Sequence, residues 1–284
     1  SDLKEYHAAA AEDKQGWDAV FSCPYFTVKE CPQPAGKVRI NSQTRHKKKL
    51  TMKLITTSLN QYYRAMQRKY PDILWFGDES RHEIGLTFDD GPHPKDTPQV
   101  LETLAKHNIR ATFFLVGGYV EKYPNLVKQI HQSGHQLGIH GFRHLPFPLE
   151  NPSTLQTQLD RTRNAIANVC GISPEGIKDL RPPYGAFTQK VLSQLTAWEY
   201  RLVLWNNIPP HWIQPVSWTI KQVLDQIHPG SILVLHDGHG HGAKVAQILD
   251  VIVPKLKTQG FDFVTINQMR NPTANHNETR TTIG

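Results

Sequence analysis

The chain has few cysteines and no long apolar run, and both shortages limit what it can be. Its 284 residues include three cysteines and no Cys-x-x-Cys pair, so a zinc site built on thiolates is not expected. No apolar stretch approaches the ~20 residues that a membrane-spanning helix needs. A hydrophobic fraction of 38% and a charged fraction of 20% instead predict an ordinary globular protein with a substantial core.

Acidic side chains are absent from residues 32–71, which carry ten lysines and arginines of a chain whose formal charge is +7. Such a segment attracts polyanions in principle. No nucleic-acid-binding motif accompanies it, so the sequence predicts a solvated connector and no specific nucleic-acid partner. Contact with an anionic cell-wall polymer or membrane surface is the alternative.

The three cysteines have different expected roles. Cys23 and Cys31 are close enough in sequence to close a small loop by a disulfide in an oxidising compartment. Cys170 ends a helical pattern, where we expect it to act as a small buried apolar side chain. The amino terminus shows neither an initiator Met nor an apolar signal region, so we expect a trimmed or processed chain.

Alternating short apolar runs and amphipathic patterns begin near residue 83. The runs at residues 84–88, 136–140 and 202–205 predict strands, whereas residues 119–133 predict one continuous helix. Repeated strand-helix units predict an α/β fold with parallel strands. About seven strands over ~190 residues favour a distorted or incomplete (β/α) barrel, with a doubly wound sheet as the alternative.

The same patterns divide the chain into three regions. Residues 1–80 hold scattered aromatic residues, the basic segment and one predicted helix from about residue 51 to 69. We expect them to form an N-terminal appendage packed on a main domain of residues 81–270. Residues 271–284 are polar and predict a frayed tail.

Two adjacent carboxylates, Asp89 and Asp90, end the first apolar run just before a Gly-Pro pair that breaks the strand. If residues 84–88 form a buried strand, the carboxylates emerge at its carboxyl end, where α/β proteins build their sites. Because successive side chains of an extended segment point to opposite faces, the two acids need not share one role. Metal binding by one and proton transfer by the other is one interpretation, and a polar turn is the other.

Three further polar clusters follow predicted strands. His140 and His144 have the spacing of a ligand pair on a helical turn, and with Asp90 they form a set that suits zinc with a position open to water. The two prolines of residues 181–184 stiffen a stretch that begins with an arginine. His236 ends an apolar run, where it can act as a general acid. Taken singly, these clusters are equally well explained by a rigid loop or a hydrogen-bonded histidine.

In this order, the four stretches together resemble the polysaccharide deacetylase family, carbohydrate esterase family 4, over about residues 83–268. The resemblance implies that residues 81–270 are a metal-dependent hydrolase domain, which removes N-acetyl groups from an amino-sugar polymer such as peptidoglycan or chitin. It implies zinc, or another divalent transition metal such as cobalt or nickel, and a polysaccharide or oligosaccharide substrate. It also implies a protein that is extracellular, periplasmic or associated with the cell wall.

The resemblance also implies a role for each motif residue. Asp89 is the general base, and His236 is the general acid. Arg181 orients the base, and the backbone amide of Tyr184 helps to bind the oxyanion. The metal ligands are Asp90, His140 and His144. The residues that border the acetyl pocket and the substrate cleft are Leu235, Trp212 and Pro183.

This chain departs from the family pattern at two points. Gly141 stands where family members commonly have Ser or Thr, which removes a hydroxyl that could brace the loop but removes no ligand. The fourth motif usually contains an Asp-Trp pair, whereas this chain has His211-Trp212. Without that carboxylate, the pKa of His236 is expected to be less elevated, which weakens it as an acid near neutral pH. The candidate substitutes for the carboxylate are Asn206, Asn207 and Asp237.

Two other functions fit the same motifs. A carbohydrate-binding pseudoenzyme would keep the metal and the cleft but turn over poorly because of the altered fourth motif. An O-deacetylase acting on xylan-like polymers would need the same groups and a better leaving group. His239 and His241 follow the general-acid candidate in a glycine-rich stretch. One interpretation is that they line the cleft or replace the missing carboxylate, and the other is that they belong to a turn.

Overall fold

The computed structural model describes residues 61–271 of the chain. Cys23, Cys31 and the basic residues 45–49 lie outside this part, as do most of the predicted appendage and most of the predicted tail. A helix, α1, occupies residues 61–69, in the later part of the helix predicted there. No helix within the described part is long and apolar enough to cross a bilayer.

Parallel strands form one sheet at the centre of the molecule. The strands are β1 (Glu83–Asp89), β2 (Thr112–Leu115), β3 (Gln136–Ile139), β4 (Asp179–Leu180), β5 (Arg201–Leu202), β6 (Ile232–His236) and β7 (Asp262–Val264). Their order is β5-β4-β3-β2-β1-β6, and β7 pairs with the first half of β1. Apolar side chains on β1 and β6 are fully buried, as expected for a parallel sheet covered on both faces.

Helices connect the strands, as the strand-helix alternation predicts. They are α2 (Asp96–Lys106), α3 (Gly117–Lys122), α4 (Pro124–Gln132), α5 (Pro152–Cys170), α6 (Gln189–Ala197), α7 (Val216–Gln226), α8 (Gly242–Thr258) and α9 (Ile266–Arg270). Local chemistry sets several ends. The Asn151 side chain accepts the Ser153 N–H at the start of α5, and Gly171 ends that helix in the left-handed conformation. Thr188 caps α6 by accepting the N–H of Val191.

The sheet does not close into a full barrel. Between the β5 side and β6, pairing in the described part is limited to one isolated bridge that joins Asn207 to Leu233. A second bridge joins Leu74 to Val203, so the segment after α1 extends the sheet beside β5. The incomplete (β/α) barrel predicted from the strand-helix alternation is therefore confirmed.

The segment before β1 belongs to the same core as the sheet. Tyr63, Tyr70, Ile73 and Trp75 are all buried, and Trp75 packs edge-on against Phe187 with ring centroids 6.5 Å apart. These side chains remove a large apolar area from water, which stabilises the sheet edge that they cover. The appendage boundary at residue 80 stays a prediction, and residues 61–80 pack closely on the main domain.

Some predicted elements have different bounds in the structure. The single helix predicted over residues 119–133 is two helices, α3 and α4, because Pro124 lacks an N–H and disfavours helical geometry at Tyr123. The strand predicted over residues 202–205 is the two-residue β5, after which the chain continues as a single bridge. The short elements β4 and α9 have no counterpart in the sequence pattern.

Candidate active site

The predicted site residues meet at the carboxyl edge of the sheet. Asp89 is the last residue of β1 and pairs in register with His236, the last residue of β6. His140 follows β3 and Arg181 follows β4, and these strands are also neighbours. Side chains from four separate segments therefore converge on one place, as their positions after apolar runs predict.

Asp90, His140 and His144 form a compact group of metal-ligand atoms. The Asp90 Oδ1 atom lies 3.0 Å from Nε2 of His144 and 3.3 Å from Nε2 of His140, and all three ligand atoms lie within 4.8 Å of one another. Asp90 Oδ1 is buried and has no hydrogen-bond partner in the described part of the chain. An unpaired buried carboxylate oxygen beside two imidazole nitrogens is an arrangement that a divalent cation satisfies, so these residues fit a metal ion.

Electrostatics keep Asp90 ionised, and a backbone hydrogen bond orients His140. Burial alone would raise the pKa of Asp90, but His140, His144 and His239 hold it well below its usual range. His140 Nδ1 lies 2.7 Å from the backbone carbonyl of Arg181. Because a carbonyl only accepts, Nδ1 of His140 carries a proton, and Nε2 is the atom that faces Asp90 and is available to a metal ion.

Asp89 is held by a fully buried arginine. Arg181 Nη1 donates to Asp89 Oδ1 at 2.7 Å and to the Thr87 hydroxyl at 2.8 Å. Its Nε and Nη2 donate to the backbone carbonyls of Val203 and Leu204. Phe114 packs against one part of the guanidinium, with the ring centroid 4.2 Å from Cζ. The charge of Asp89 is therefore compensated at a fixed position, and its carboxylate is oriented by its neighbour.

The loop after Arg181 packs beside the metal-ligand group. Tyr184 has a φ of +61°, and its ring meets that of His144 edge-on at 4.9 Å. Pro183 is buried. The loop that carries the histidines is braced through the Gly141 carbonyl, which accepts the N–H of Gly117 at 2.9 Å. This backbone hydrogen bond braces the loop at Gly141, the position where family members commonly have a Ser or Thr hydroxyl.

His236 has a different kind of environment from Asp89. Its Nδ1 atom is buried and has no hydrogen-bond partner within the described residues. The His211 ring stacks on it at 5.0 Å, and the Trp212 ring meets it edge-on at 5.2 Å. Nε2 of His211 accepts the backbone N–H of His236, while Nδ1 of His211 faces the Pro209 carbonyl. Burial lowers the pKa of His236, although Asp90 and Asp89 act in the opposite direction.

None of the three residues suggested as substitutes for the missing carboxylate forms a hydrogen bond with His236 in the described part of the chain. Asn206 Oδ1 accepts the backbone N–H of Ile232 at 2.8 Å. Both polar side-chain atoms of Asn207 are buried without a partner among the described residues. Asp237 is bonded to the Thr97 hydroxyl through Oδ2, and burial raises its pKa to about 7. The side chain beside His236 is thus the imidazole of His211.

The register of β6 separates Leu235 from the other site residues. Leu235 is fully buried and pairs with Phe88, whereas His236 pairs with Asp89. Because side chains alternate along a strand, Leu235 and His236 face opposite sides of the sheet. Val234 shares the face of His236 and is in register with Thr87. The period-2 alternation of strand residues was the sequence signal that could have drawn attention to Val234.

Proteins with similar sequences include several polysaccharide deacetylases. A sequence profile described as polysaccharide deacetylase matches residues 76–203. A peptidoglycan-N-acetylglucosamine deacetylase of Bacillus cereus is 37% identical over 197 residues, which are 68% of this chain and 70% of that protein. A chitooligosaccharide deacetylase of Azorhizobium caulinodans is 32% identical over 64% of this chain and 92% of its own length.

A longer relative and a crystal structure agree with this assignment. The peptidoglycan-N-acetylglucosamine deacetylase PgdA of Listeria monocytogenes is 34% identical over 78% of this chain, which spans 46% of that protein. The crystal structure of a peptidoglycan N-acetylglucosamine deacetylase superposes with a TM-score of 0.66 at 34% identity, covering 70% of this chain and 92% of the other. The motifs, the incomplete barrel and these similarities together show that the chain belongs to the polysaccharide deacetylase family.

Proposed function

We propose that the chain is a metal-dependent deacetylase that hydrolyses N-acetyl groups of an amino-sugar polymer of the peptidoglycan or chitin type. The observation that carries this proposal is the Asp90-His140-His144 group beside the buried Asp89-Arg181 pair. Such a group supplies metal ligands and an oriented carboxylate within one site. The names of the relatives, which include peptidoglycan-N-acetylglucosamine and chitooligosaccharide deacetylases, support the choice of substrate class.

The proposed metal ligands are Asp90, His140 and His144. Two imidazoles and one carboxylate suit zinc, and cobalt and nickel accept the same donors. When bound, a divalent ion of this kind polarises the acetyl carbonyl and lowers the pKa of the attacking water. The unpaired Oδ1 atom of Asp90 is the ligand oxygen in this proposal.

The proposed general base is Asp89. It accepts a proton from the water as the water oxygen attacks the acetyl carbon, while Arg181 holds the carboxylate in place. We assign a part in binding the resulting oxyanion to the backbone amide of Tyr184. His236, opposite Asp89 in the sheet, gives a proton to the amine nitrogen as the carbon-nitrogen bond breaks. The products are acetate and a free amino sugar.

We propose an apolar border for the acetyl group and the sugar. Trp212 lies beside His236, and Pro183 precedes the Tyr184 amide. Leu235 was expected to line the acetyl pocket, but Val234 is the better candidate because it shares the face of His236.

Acetate release tests the proposal directly. The purified chain is incubated with zinc and either chitooligosaccharides or N-acetylglucosamine-containing peptidoglycan fragments, and released acetate is measured. Asp90→Ala is expected to abolish zinc binding, whereas Asp89→Asn is expected to bind zinc and release little acetate. Full acetate release by Asp89→Asn would show that the base is assigned wrongly, and release from neither substrate would contradict the activity.

The unpaired Nδ1 atom of His236 favours a second candidate function. A carbohydrate-binding pseudoenzyme would use the same cleft and metal but have a weak proton donor. Substrate binding without Asp89-dependent acetate release would support this function. Release of acetate from acetylated xylan but not from chitooligosaccharides would instead indicate O-deacetylation.

We also propose that the protein acts outside the cytoplasm, at the cell wall, because peptidoglycan is the substrate named for several relatives. The basic residues 45–49 lie outside the described residues, and their contact with an anionic surface stays a prediction. Binding of the full chain to purified cell walls at increasing salt concentration would test that contact.

A further inference from the structure

A third histidine approaches the proposed metal ligand Asp90 from the loop after β6. Nε2 of His239 lies 3.5 Å from Oδ2 of Asp90, the carboxylate oxygen opposite the one that faces His140 and His144. The family motifs matched in the sequence give His239 no role. Its position therefore raises the question of what a histidine at this oxygen does.

The loop that carries His239 packs against the residue after β1, Asp90, and the first residue of α2, Asp96. The backbone N–H of Gly240 donates to Asp96 Oδ2 at 2.6 Å. A Cβ atom on Gly238 would lie 3.1 Å from the Asp90 Cβ, and one on Gly242 would lie 2.4 Å from the Asp96 Cα. Glycine at these two positions lets the two backbones approach closely. A packed loop therefore places His239 beside Asp90. A simple glycine-rich turn would not explain these contacts with Asp90 and Asp96.

The two oxygens of Asp90 have different neighbours. Oδ1 faces the two histidines of the proposed ligand group and is buried without a hydrogen bond in the described part of the chain. Oδ2 faces His239, whose side chain is 60% exposed and can adjust its position. Carboxylate ligands are commonly oriented by a hydrogen bond to the oxygen that does not bind the metal, and loss of such a partner weakens metal binding.

We propose that His239 is a positioning residue of the metal site: its Nε2–H donates to Oδ2 of Asp90 and turns Oδ1 toward the metal. This inference rests on the metal site of the proposed function and extends it. The contact between His239 and Asp90 involves a residue outside the four matched motifs. His239 is not a metal ligand in this arrangement, and it slows metal loss by restricting rotation of the Asp90 carboxylate.

Zinc affinity measures this role without any substrate. The metal-free full chain is titrated with zinc in competition with a chromophoric chelator. His239→Ala is expected to weaken zinc binding by about 10- to 100-fold. His239→Gln is expected to recover part of the affinity because its amide can donate at a similar distance. His241→Ala is the matched control, since its ring contacts His211, and its zinc affinity should equal that of the unchanged chain.

Other outcomes would overturn the inference. Equal zinc affinities for His239→Ala and the unchanged chain, with matching circular dichroism spectra, would contradict the role of His239. X-ray absorption of the zinc-loaded chain should indicate two imidazole ligands, and a third would contradict a positioning role. If Asp90→Ala retained zinc, the proposed metal site itself would be wrong. If Asp90→Ala lost zinc while His239→Ala did not, only the inference about His239 would fail.

Discussion

The two sides of the candidate site are built differently. On the Asp89 side, the carboxylate is held by the buried guanidinium of Arg181, which also bonds the Thr87 hydroxyl and two backbone carbonyls. On the His236 side, the imidazole is held by ring contacts with His211 and Trp212 and has an unpaired Nδ1 atom within the described residues. Hydrogen bonds define the first side, and packing defines the second.

This difference follows the match of the sequence to the family. The side whose motifs keep every matched catalytic residue and metal ligand has its polar atoms paired, or placed as metal ligands. The side with the altered fourth motif has an imidazole where a carboxylate is common. An imidazole next to His236 supplies no negative charge, so the protonated form of His236 loses a source of stabilisation. We therefore expect the Asp89 side to contribute more to catalysis near neutral pH.

The largest expected effect is on kcat, when the proposed base and the proposed acid are each replaced. Asp89→Asn should lower kcat by about 10²- to 10⁴-fold, the range of general base catalysis. His236→Ala should cost less than about 10²-fold at pH 7, because burial lowers the pKa of His236 and so disfavours its acid form. Acetate-release kinetics with saturating zinc measure both. Equal losses would remove the proposed distinction between the two sides.

The next effect concerns stability on the Asp89 side. Arg181→Met keeps much of the side-chain volume but leaves the buried Asp89 without its partner, which should cost about 3–5 kcal/mol in the free energy of unfolding. Urea denaturation gives this value. Arg161→Met is the control, because its ion pair with Glu121 is solvent-exposed and should matter much less. Similar losses for the two variants would show that Arg181 is not central to the packing of this side.

A pH-dependent effect is expected beside His236. Burial raises the pKa of Asp237 to about 7 from an ordinary value of 3.8, so the folded chain binds this proton more tightly than the unfolded chain. The stabilising effect of the proton is complete below about pH 4 and is lost as the pH rises toward 7. Asp237→Asn keeps a neutral group at this position. The free energy of unfolding of this variant, relative to that of the unchanged chain, should therefore rise by up to about 4 kcal/mol as the pH increases from about 4 to 7.

Thermal or urea unfolding of both chains at pH 5 and pH 8 tests this expectation. Parallel stability curves would mean that Asp237 is ionised in the folded chain. An ionised Asp237 would add a buried negative charge that interacts with Asp90 and Asp89.

The smallest expected effect is on the pH profile of kcat, for a substitution that makes the His236 side more like the Asp89 side. His211→Asp places a carboxylate beside the unpaired Nδ1 of His236 and should raise the pKa of that imidazole. Because the acid must be protonated to act, the alkaline limb of the kcat profile should move upward by about one pH unit. His211→Asn introduces a polar group without charge and should leave the limb near its original position. The same profile for both variants would contradict the electrostatic explanation.

The sequence predicts the carboxyl-edge position of Asp89, His140 and His236 because each follows an apolar run that becomes a buried strand. It does not predict β4, since two residues are too few to show periodicity. The stacking of His211 on His236 arises from a loop whose path depends on tertiary packing. Leu235 was chosen from motif likeness alone, and only the strand register placed it on the opposite face from His236.

The position of His239 also depends on tertiary structure. Its glycine-rich surroundings suggested a turn as readily as a site, because local sequence does not reveal which backbone the glycines approach. Contacts with Asp90 and Asp96, more than a hundred residues away, determine where the loop lies.

One residue joins both halves of the proposed chemistry on the Asp89 side. Arg181 bonds Asp89 through its side chain and His140 through its main-chain carbonyl. A displacement of Arg181 would therefore alter proton transfer and metal coordination at the same time. Attempts to change the metal preference of this chain by redesigning the end of β4 should change the pH dependence of its activity as well, so the two properties are not separately adjustable at this position.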